Sequence, residues 1–164
     1  MYQVGELILY GKTGVCEVAE IRVDGNGVPV SYVLNPLYQT CSITIPIGNP
    51  KIFTRPVISR EEALALLDGY AALEAEPCCC KNLNQLRTYY MERLDCRSCV
   101  ELARLTKSLY LKRKQAEAQK KKFGSVDEHF LHEAENLLFG ELIVALGISR
   151  DEVQKHIANC LDQA

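Results

Sequence analysis

Short apolar stretches separated by turn residues occupy the first third of the chain. Strands are predicted over residues 7–10, 15–23, 28–34 and 42–45, with Pro46 closing the last. Asp24-Gly25-Asn26-Gly27 favours a tight hairpin because Gly and Asn tolerate the positive φ that such turns require. Within 15–23 the alternation groups Val15, Glu17, Ala19 and Ile21 on one face of the strand. Four or five short strands fit a compact, strongly bent sheet or small barrel.

Beyond residue 58 the spacing of apolar residues becomes helical. Ser59 and Glu62 form a capping box, which predicts a helix from there to about Glu74. A second helix is predicted up to Asp95, and a third from Val100 to about Lys122, stopped by Gly124. Two further capping boxes open the last two helices, at Ser125/Glu128 and Ser149/Glu152, and Gly147 separates them.

Together these patterns predict an α+β chain made of two domains. Residues 1–57 form an SH3/Tudor-like bent β-sheet and residues 58–164 form an all-α domain. Pro77 and the cysteines after it interrupt the helices as a linker.

Composition places the chain among globular proteins. Apolar residues make up 48% and charged residues 24% of the 164 residues. No apolar run approaches the roughly 20 residues that span a bilayer, and the N-terminus shows no signal-peptide pattern. We therefore expect a cytoplasmic protein without membrane contact.

The charge is distributed unevenly. Residues 78–122 carry 12 Lys/Arg against 4 Asp/Glu, whereas residues 123–164 carry 2 against 8. The basic stretch is typical of a surface that faces phosphates. The alternative is that the basic and acidic helices are solvated and pair with each other.

The eight cysteines and three histidines raise the possibility of metal or redox chemistry. Cys96-Arg97-Ser98-Cys99 is a C-x-x-C motif, and Cys78-Cys79-Cys80 lies upstream of it. Four of these thiolates could form a tetrahedral zinc site or a redox pair, but inert thiols are the favoured interpretation. His129 and His132 have a metal-ligand spacing without the further residues of a known motif. We expect no cofactor, no metal, no small-molecule substrate and no enzymatic activity.

Several motifs resemble the CarD/CdnL family of transcription regulators. These are Val4-Gly5-Glu6, Tyr10-Gly11-Lys12-x-Gly14-Val15, Ile43-Thr44-Ile45-Pro46, Arg55-Pro56-Val57-Ile58-Ser59 and the helix around Glu141-Leu142. They cover nearly the whole chain in the family's order. The N-terminal domain is also similar to the polymerase-interacting domain of the transcription-repair coupling factor.

The resemblance implies that the β domain binds the RNA polymerase β subunit by pairing a strand edge with it. The implied contact residues are Arg22, Ser42, Ile43, Thr44, Ile45 and Pro46. Family members carry basic residues near this edge. Arg22 occupies one such position, and the other holds Thr44.

The resemblance also implies that the helical domain contacts promoter DNA through its backbone and minor groove, without sequence specificity. The family inserts a tryptophan there, which interrupts base stacking. This chain has no Trp, and Leu83 occupies that position. Leu83 either inserts between base pairs in the same way or packs into the core of the helical domain. The implied DNA contacts are Lys81, Leu83, Gln85, Arg87, Thr88, Arg113 and Lys114, with Lys120, Lys121 and Lys122 as further phosphate contacts.

The resulting hypothesis is a regulator of transcription initiation that binds polymerase and changes the stability of the open promoter complex. One alternative is a polymerase- or protein-binding adaptor without promoter-melting activity. It is motivated by the missing Trp and by Asp127-Glu128-His129, which stand where relatives often carry basic residues. The other is the cysteine-based zinc or redox sensor.

Overall fold

A computed structural model describes residues 1–48, 52–76, 80–95 and 98–162. The chain divides into two compact units, Met1–Val57 and Ile58–Ala164. The first is called the β module below and the second the helical unit. The described residues confirm an α+β chain in which the strands precede the helices.

The β module is an antiparallel sheet. Its described strands are β1 (Leu7–Tyr10), β2 (Gly14–Val23), β3 (Pro29–Pro36), β4 (Ile43–Pro46) and β5 (Thr54–Pro56). Their order across the sheet is β4-β3-β2-β1-β5, so that β4 and β5 form the edges. Residue pairs Ile21↔Tyr32 and Tyr32↔Ile45 run across the centre.

The strict alternation predicted for residues 15–23 is wrong. The pairing of β2 with β3 shifts between Val18 and Glu20, and again between Arg22 and Val23. Such a bulge inserts an extra residue, which reverses the faces of those that follow and bends the strand. As a result Cys16 and Val18 are buried in the core of the β module, and the partly buried Ile21 packs against it.

The helical unit contains α1 (Arg60–Asp68), α2 (Leu83–Leu94), α3 (Cys99–Ala118), α4 (Ser125–Leu146) and α5 (Arg150–Asp162) among its described residues. The capping box of Ser59 and Glu62 is confirmed, with both of its hydrogen bonds formed. However, α1 ends at Asp68 rather than near Glu74, because Gly69 caps it and a 3-10 turn follows over Tyr70–Ala72.

The predicted end of the third helix is also wrong. α3 ends at Ala118, where Lys120 adopts a left-handed conformation with φ 55°. The Lys121 N–H donates to the Ala116 carbonyl at 2.8 Å, and the Lys120 N–H donates to the Glu117 carbonyl at 3.0 Å. This pair of bonds is a Schellman motif, which usually places glycine where Lys120 stands.

Of the two later capping boxes, only the second is partly formed. Ser125 is already the first residue of α4, Gly124 is its N-cap, and no side chain caps this end, so the Ser125/Glu128 box is wrong. At α5 the Ser149 hydroxyl accepts a hydrogen bond from the Glu152 N–H at 3.2 Å. Gly147 ends α4 in the left-handed conformation, as its sequence position predicted.

Two of the charged side chains that are buried in the described part of the helical unit bind main-chain groups. Lys107 on α3 is 4% exposed, and its Nζ donates to the carbonyl oxygens of Ala71 at 2.6 Å, Leu73 at 2.7 Å and Tyr70 at 3.3 Å. Glu141 on α4 accepts a hydrogen bond from the Ile58 N–H at 3.0 Å, just before α1 begins. Both side chains bind main-chain groups of the segments around α1 and thereby fix α1 against α3 and α4.

Among the described residues, no helix has both the length and the apolar character needed to cross a membrane.

Candidate functional site

The edge strand β4 presents main-chain groups to the outside of the sheet. The Ile47 N–H donates to the Val30 carbonyl at 3.0 Å, in continuation of the β3–β4 register. Bonded and non-bonded pairs alternate along an antiparallel ladder, so Ile43 and Ile45 bond to β3 and the N–H and C=O of Thr44 point away from it. In the described sheet this outward side of β4 has no neighbouring strand.

The polymerase-contact residues implied by the resemblance lie on two faces of this edge. Thr44 and Pro46 are exposed on one face, whereas Ile43 and Ile45 turn toward the core, where Ile45 is only 5% exposed. Ser42 precedes the strand, and its hydroxyl donates to the Asn35 side chain at 2.8 Å. The Ile45 side chain therefore faces the interior side of the sheet and not the exposed face that carries Thr44 and Pro46.

Arg22 shares the exposed face with Thr44 and Pro46. The register aligns Arg22 with Ser31 and Ser31 with Pro46, which places Arg22 two strands, or about 10 Å, from the edge. Its guanidinium lies 3.5 Å from the Glu20 carboxylate, and both side chains are more than half exposed. The structure thus brings Arg22 and the β4 edge together on one surface.

A pocket of about 420 Å³ lies beside the end of β4 on the core-facing side of the sheet. Its walls combine aromatic and aliphatic residues: Tyr2, Tyr10, Tyr32, Ile45, Pro46, Ile47 and Ile52, with Met1, Gly48 and Thr54. The Tyr2 hydroxyl donates to Thr54 Oγ1 at 3.0 Å, and the Tyr2 N–H donates to the Tyr32 hydroxyl at 3.1 Å. Sequence reasoning missed this pocket, since its tyrosines are far apart in the chain and resemble ordinary core residues.

The N-terminus of α2 exposes an apolar side chain between basic ones. Asn82 caps this end by accepting the Gln85 N–H at 2.9 Å. Leu83, the first residue of the helix, is 60% exposed and lies outside the core of the helical unit. Lys81 and Arg87 are also exposed, and Arg87 lies one turn along the same face as Leu83.

Gln85 and Thr88 serve α2 itself. The Gln85 side-chain oxygen accepts the Lys81 N–H at 3.0 Å, and the Thr88 hydroxyl donates to the Asn84 carbonyl at 3.0 Å. Both residues are exposed. Their observed hydrogen bonds stabilise the start of the helix, and the DNA contact predicted for them would have to be additional.

The predicted contacts on α3, Arg113 and Lys114, share one groove, and Lys114 also lines a second. The Arg113 guanidinium lies 5.4 Å from the centre of the Tyr110 ring, in a groove formed with α4 and α5. Lys114 also lines a groove of about 610 Å³ that α3 forms with Tyr89 and Tyr90 of α2. Of the two predicted α3 contacts, Lys114 is thus the one that lines the groove shared with α2.

Part of the basic stretch is used inside the helical unit. Arg93 contacts Glu76 at 2.7 Å, Arg104 contacts Glu101 at 2.9 Å, and Lys112 contacts Asp127 at 2.9 Å. Lys107 is buried. The charge count of residues 78–122 therefore overstates the positive surface. Of the three ion pairs, only Lys112–Asp127 joins the basic stretch to acidic α4, so the predicted pairing of basic with acidic helices describes that pair and not the other two.

Asp127 joins three helices. It lies in the first turn of α4 and is 5% exposed. The Tyr90 hydroxyl of α2 donates to its carboxylate, which also accepts from the Lys112 Nζ of α3. Asp127 is accordingly a packing residue of the helical unit.

The described histidines and cysteines form no metal site. Within the described ranges there is no group of three or more His, Cys, Asp or Glu side chains placed to hold a metal ion. His129 and His132 are exposed on α4, and the His129 ring packs against Phe130. The zinc hypothesis depends on Cys78, Cys79 and Cys96, which lie outside the described residues.

Cys16 is buried in the β module, and its thiol donates to the Gly14 carbonyl at 3.6 Å. Burial, with a smaller contribution from Cys41, raises the pKa of the Cys16 thiol to about 11. Only the thiolate is nucleophilic, so the rate of alkylation by iodoacetamide should keep rising with pH up to about 11. At pH 8.5 we expect Cys16 in the folded protein to react at least about 100-fold more slowly than the exposed Cys41. Mass spectrometry of the labelled peptides measures both rates, and comparable rates would contradict the buried placement of Cys16.

A scan against protein-family models finds no matching family, and a search of curated proteins finds no match to this chain. Evidence about the function therefore comes from the geometry of the β4 edge and of the α2 N-terminus.

Proposed function

We propose that this protein regulates transcription initiation by binding the RNA polymerase β subunit through β4 and promoter DNA through the N-terminus of α2. The observation that carries the proposal is the open edge of β4, where the N–H and C=O of Thr44 point outward. An extended segment of a partner can satisfy these groups only by adding a strand to the sheet. The five-stranded antiparallel sheet is compatible with an SH3/Tudor-like module, and the resemblance of the chain's motifs to the CarD/CdnL family favours polymerase as that partner.

The Thr44 amide gives the sharpest test of this edge. Thr44→Pro removes the outward N–H, whereas Thr44→Val keeps it in a side chain of similar shape. Proline is tolerated on an edge strand where its position faces outward, so both variants should fold. We expect Thr44→Pro to weaken binding of the purified β-subunit lobe about tenfold or more, and Thr44→Val to leave it unchanged. Calorimetric titration measures both affinities, and equal affinities for the two variants would exclude pairing at this edge.

The DNA half of the proposal depends on Leu83, whose exposed side chain is flanked by exposed Lys81 and Arg87. An apolar side chain between base steps can stabilise distorted DNA while the basic neighbours bind phosphates. The Leu83→Ala variant should bind the β-subunit lobe as tightly as the wild-type chain, but it should change the rate of promoter opening less than the wild-type chain does. Stopped-flow measurement of promoter opening distinguishes these two effects.

A polymerase-binding adaptor without promoter melting is the second candidate. The local hydrogen bonds of Gln85 and Thr88, together with the absence of Trp, are the observations that support this second candidate. The adaptor predicts normal binding to the β-subunit lobe and promoter opening that is the same with wild type, with Leu83→Ala and without the protein.

A further inference from the structure

The pocket beside β4 lies where an added strand would place a side chain. Residues that pair across a ladder share a face of the sheet, so a partner residue opposite Ile45 would point to the same side as the Ile45 side chain. Ile45 itself forms part of the pocket wall, together with Ile47, which follows β4 in the chain, and Tyr32 of β3. The open main-chain edge and the pocket are therefore continuous, and both are reached by one extended segment.

The chemistry of the walls specifies what this side chain must be. Three tyrosine rings and the isoleucine side chains provide apolar surface, and the hydroxyls of Tyr2 and Tyr32 are already hydrogen-bonded within the module. Burying a charged or strongly polar side chain there without a partner would cost free energy. A volume of about 420 Å³ accommodates a large aliphatic or aromatic side chain with room to spare.

We propose that this pocket selects the partner strand by taking a large apolar side chain from the residue that lies opposite Ile45. The inference rests on the proposed polymerase binding and deepens it. Backbone pairing with Thr44 provides affinity for any extended segment, and the pocket provides the preference for one sequence and one register. A strand that slipped by one residue would turn its apolar side chain to the opposite face, away from the pocket.

Ile52 is the residue of choice for testing the pocket. It is 41% exposed at the rim, so a polar replacement should not unfold the module. Ile52→Glu places a carboxylate at the pocket and should weaken binding of the purified β-subunit lobe at least about tenfold. The matched control is Val28→Glu, which adds the same charge at a site 54% exposed in the β2–β3 turn and should leave the affinity unchanged. Equal urea midpoints would establish that both variants are folded.

Methyl NMR of the wild-type chain locates the contact independently. With isoleucine methyl labelling, titration with the β-subunit lobe should shift the Ile45, Ile47 and Ile52 resonances and leave Ile157 of α5 in place. Shifts at these residues and a weakened Ile52→Glu variant support the proposal. An unchanged Ile52→Glu variant, alongside a Thr44→Pro variant that loses binding, would overturn the pocket while leaving the strand edge intact. No binding by the wild-type chain would overturn both proposals.

Discussion

Replacing Lys107 by Met should lower the free energy of unfolding of the helical unit by about 3 kcal/mol. Methionine has nearly the length of lysine but cannot donate hydrogen bonds. The carbonyl oxygens of Tyr70, Ala71 and Leu73 would lose the ammonium that binds them in a site where Lys107 is almost fully buried. A hydrogen bond to a charged group contributes about 1.5–3 kcal/mol, and a buried acceptor left without a donor costs a similar amount.

Urea unfolding followed by circular dichroism at the helix band measures this loss. Lys114→Met is the matched control, because Lys114 is exposed on the same helix, and its unfolding free energy should stay within about 0.5 kcal/mol of wild type. If Lys107→Met were as stable as that control, these main-chain contacts would not contribute to stability.

Replacing Asp127 by Ala should have the next largest effect, a loss of about 2 kcal/mol in unfolding free energy. The carboxylate accepts from the Tyr90 hydroxyl and from Lys112, so its removal affects three helices at once. The expected loss is smaller than for a fully buried ion pair because the Lys112 side chain is 43% exposed and water can replace part of that contact.

The same unfolding experiment separates the two contacts. Asp127→Asn keeps an oxygen that can accept both hydrogen bonds but removes the charge, and should cost less than Asp127→Ala. In a Lys112→Met background the cost of Asp127→Ala should fall, by the coupling free energy of the pair. If the free-energy losses of Lys112→Met and Asp127→Ala simply add in the double variant, the stabilisation by Asp127 comes from the Tyr90 hydrogen bond alone.

Asp127 also matters for the proposed function, because it binds Tyr90 of α2, the helix that carries the proposed DNA contact. The Tyr90–Asp127 bond fixes α2 against α4, and the Arg93–Glu76 pair fixes α2 to the segment before it. A side chain can act on DNA only if its helix is held in place. We therefore read Asp127 as a residue that positions Leu83 and Arg87, not as an acidic obstacle to phosphate binding.

Helix starts and ends show where local sequence was sufficient. The Ser59 cap and the Gly147 stop were predicted correctly, because both depend on atoms within a few residues of each other. The end of α3 was not, since the sequence places lysine where the Schellman motif favours glycine. The bulge in β2 was also missed, because only the pairing with β3 shows that one strand contains an extra residue.

The candidate site, too, has features that the sequence predicted and features that only the tertiary structure shows. Sequence patterns determined the α+β order, the division near residue 57 into strands and helices, and the stretches that contain the exposed edge and the exposed helix start. Only the tertiary structure decided that Ile45 faces inward while Thr44 offers its backbone, and that Leu83 is exposed. It also decided that Lys107 and Lys112 bind groups inside the protein while Lys114 remains exposed. The physical reason is that periodicity and capping are properties of neighbours along the chain, whereas burial and charge pairing depend on residues brought together from distant segments.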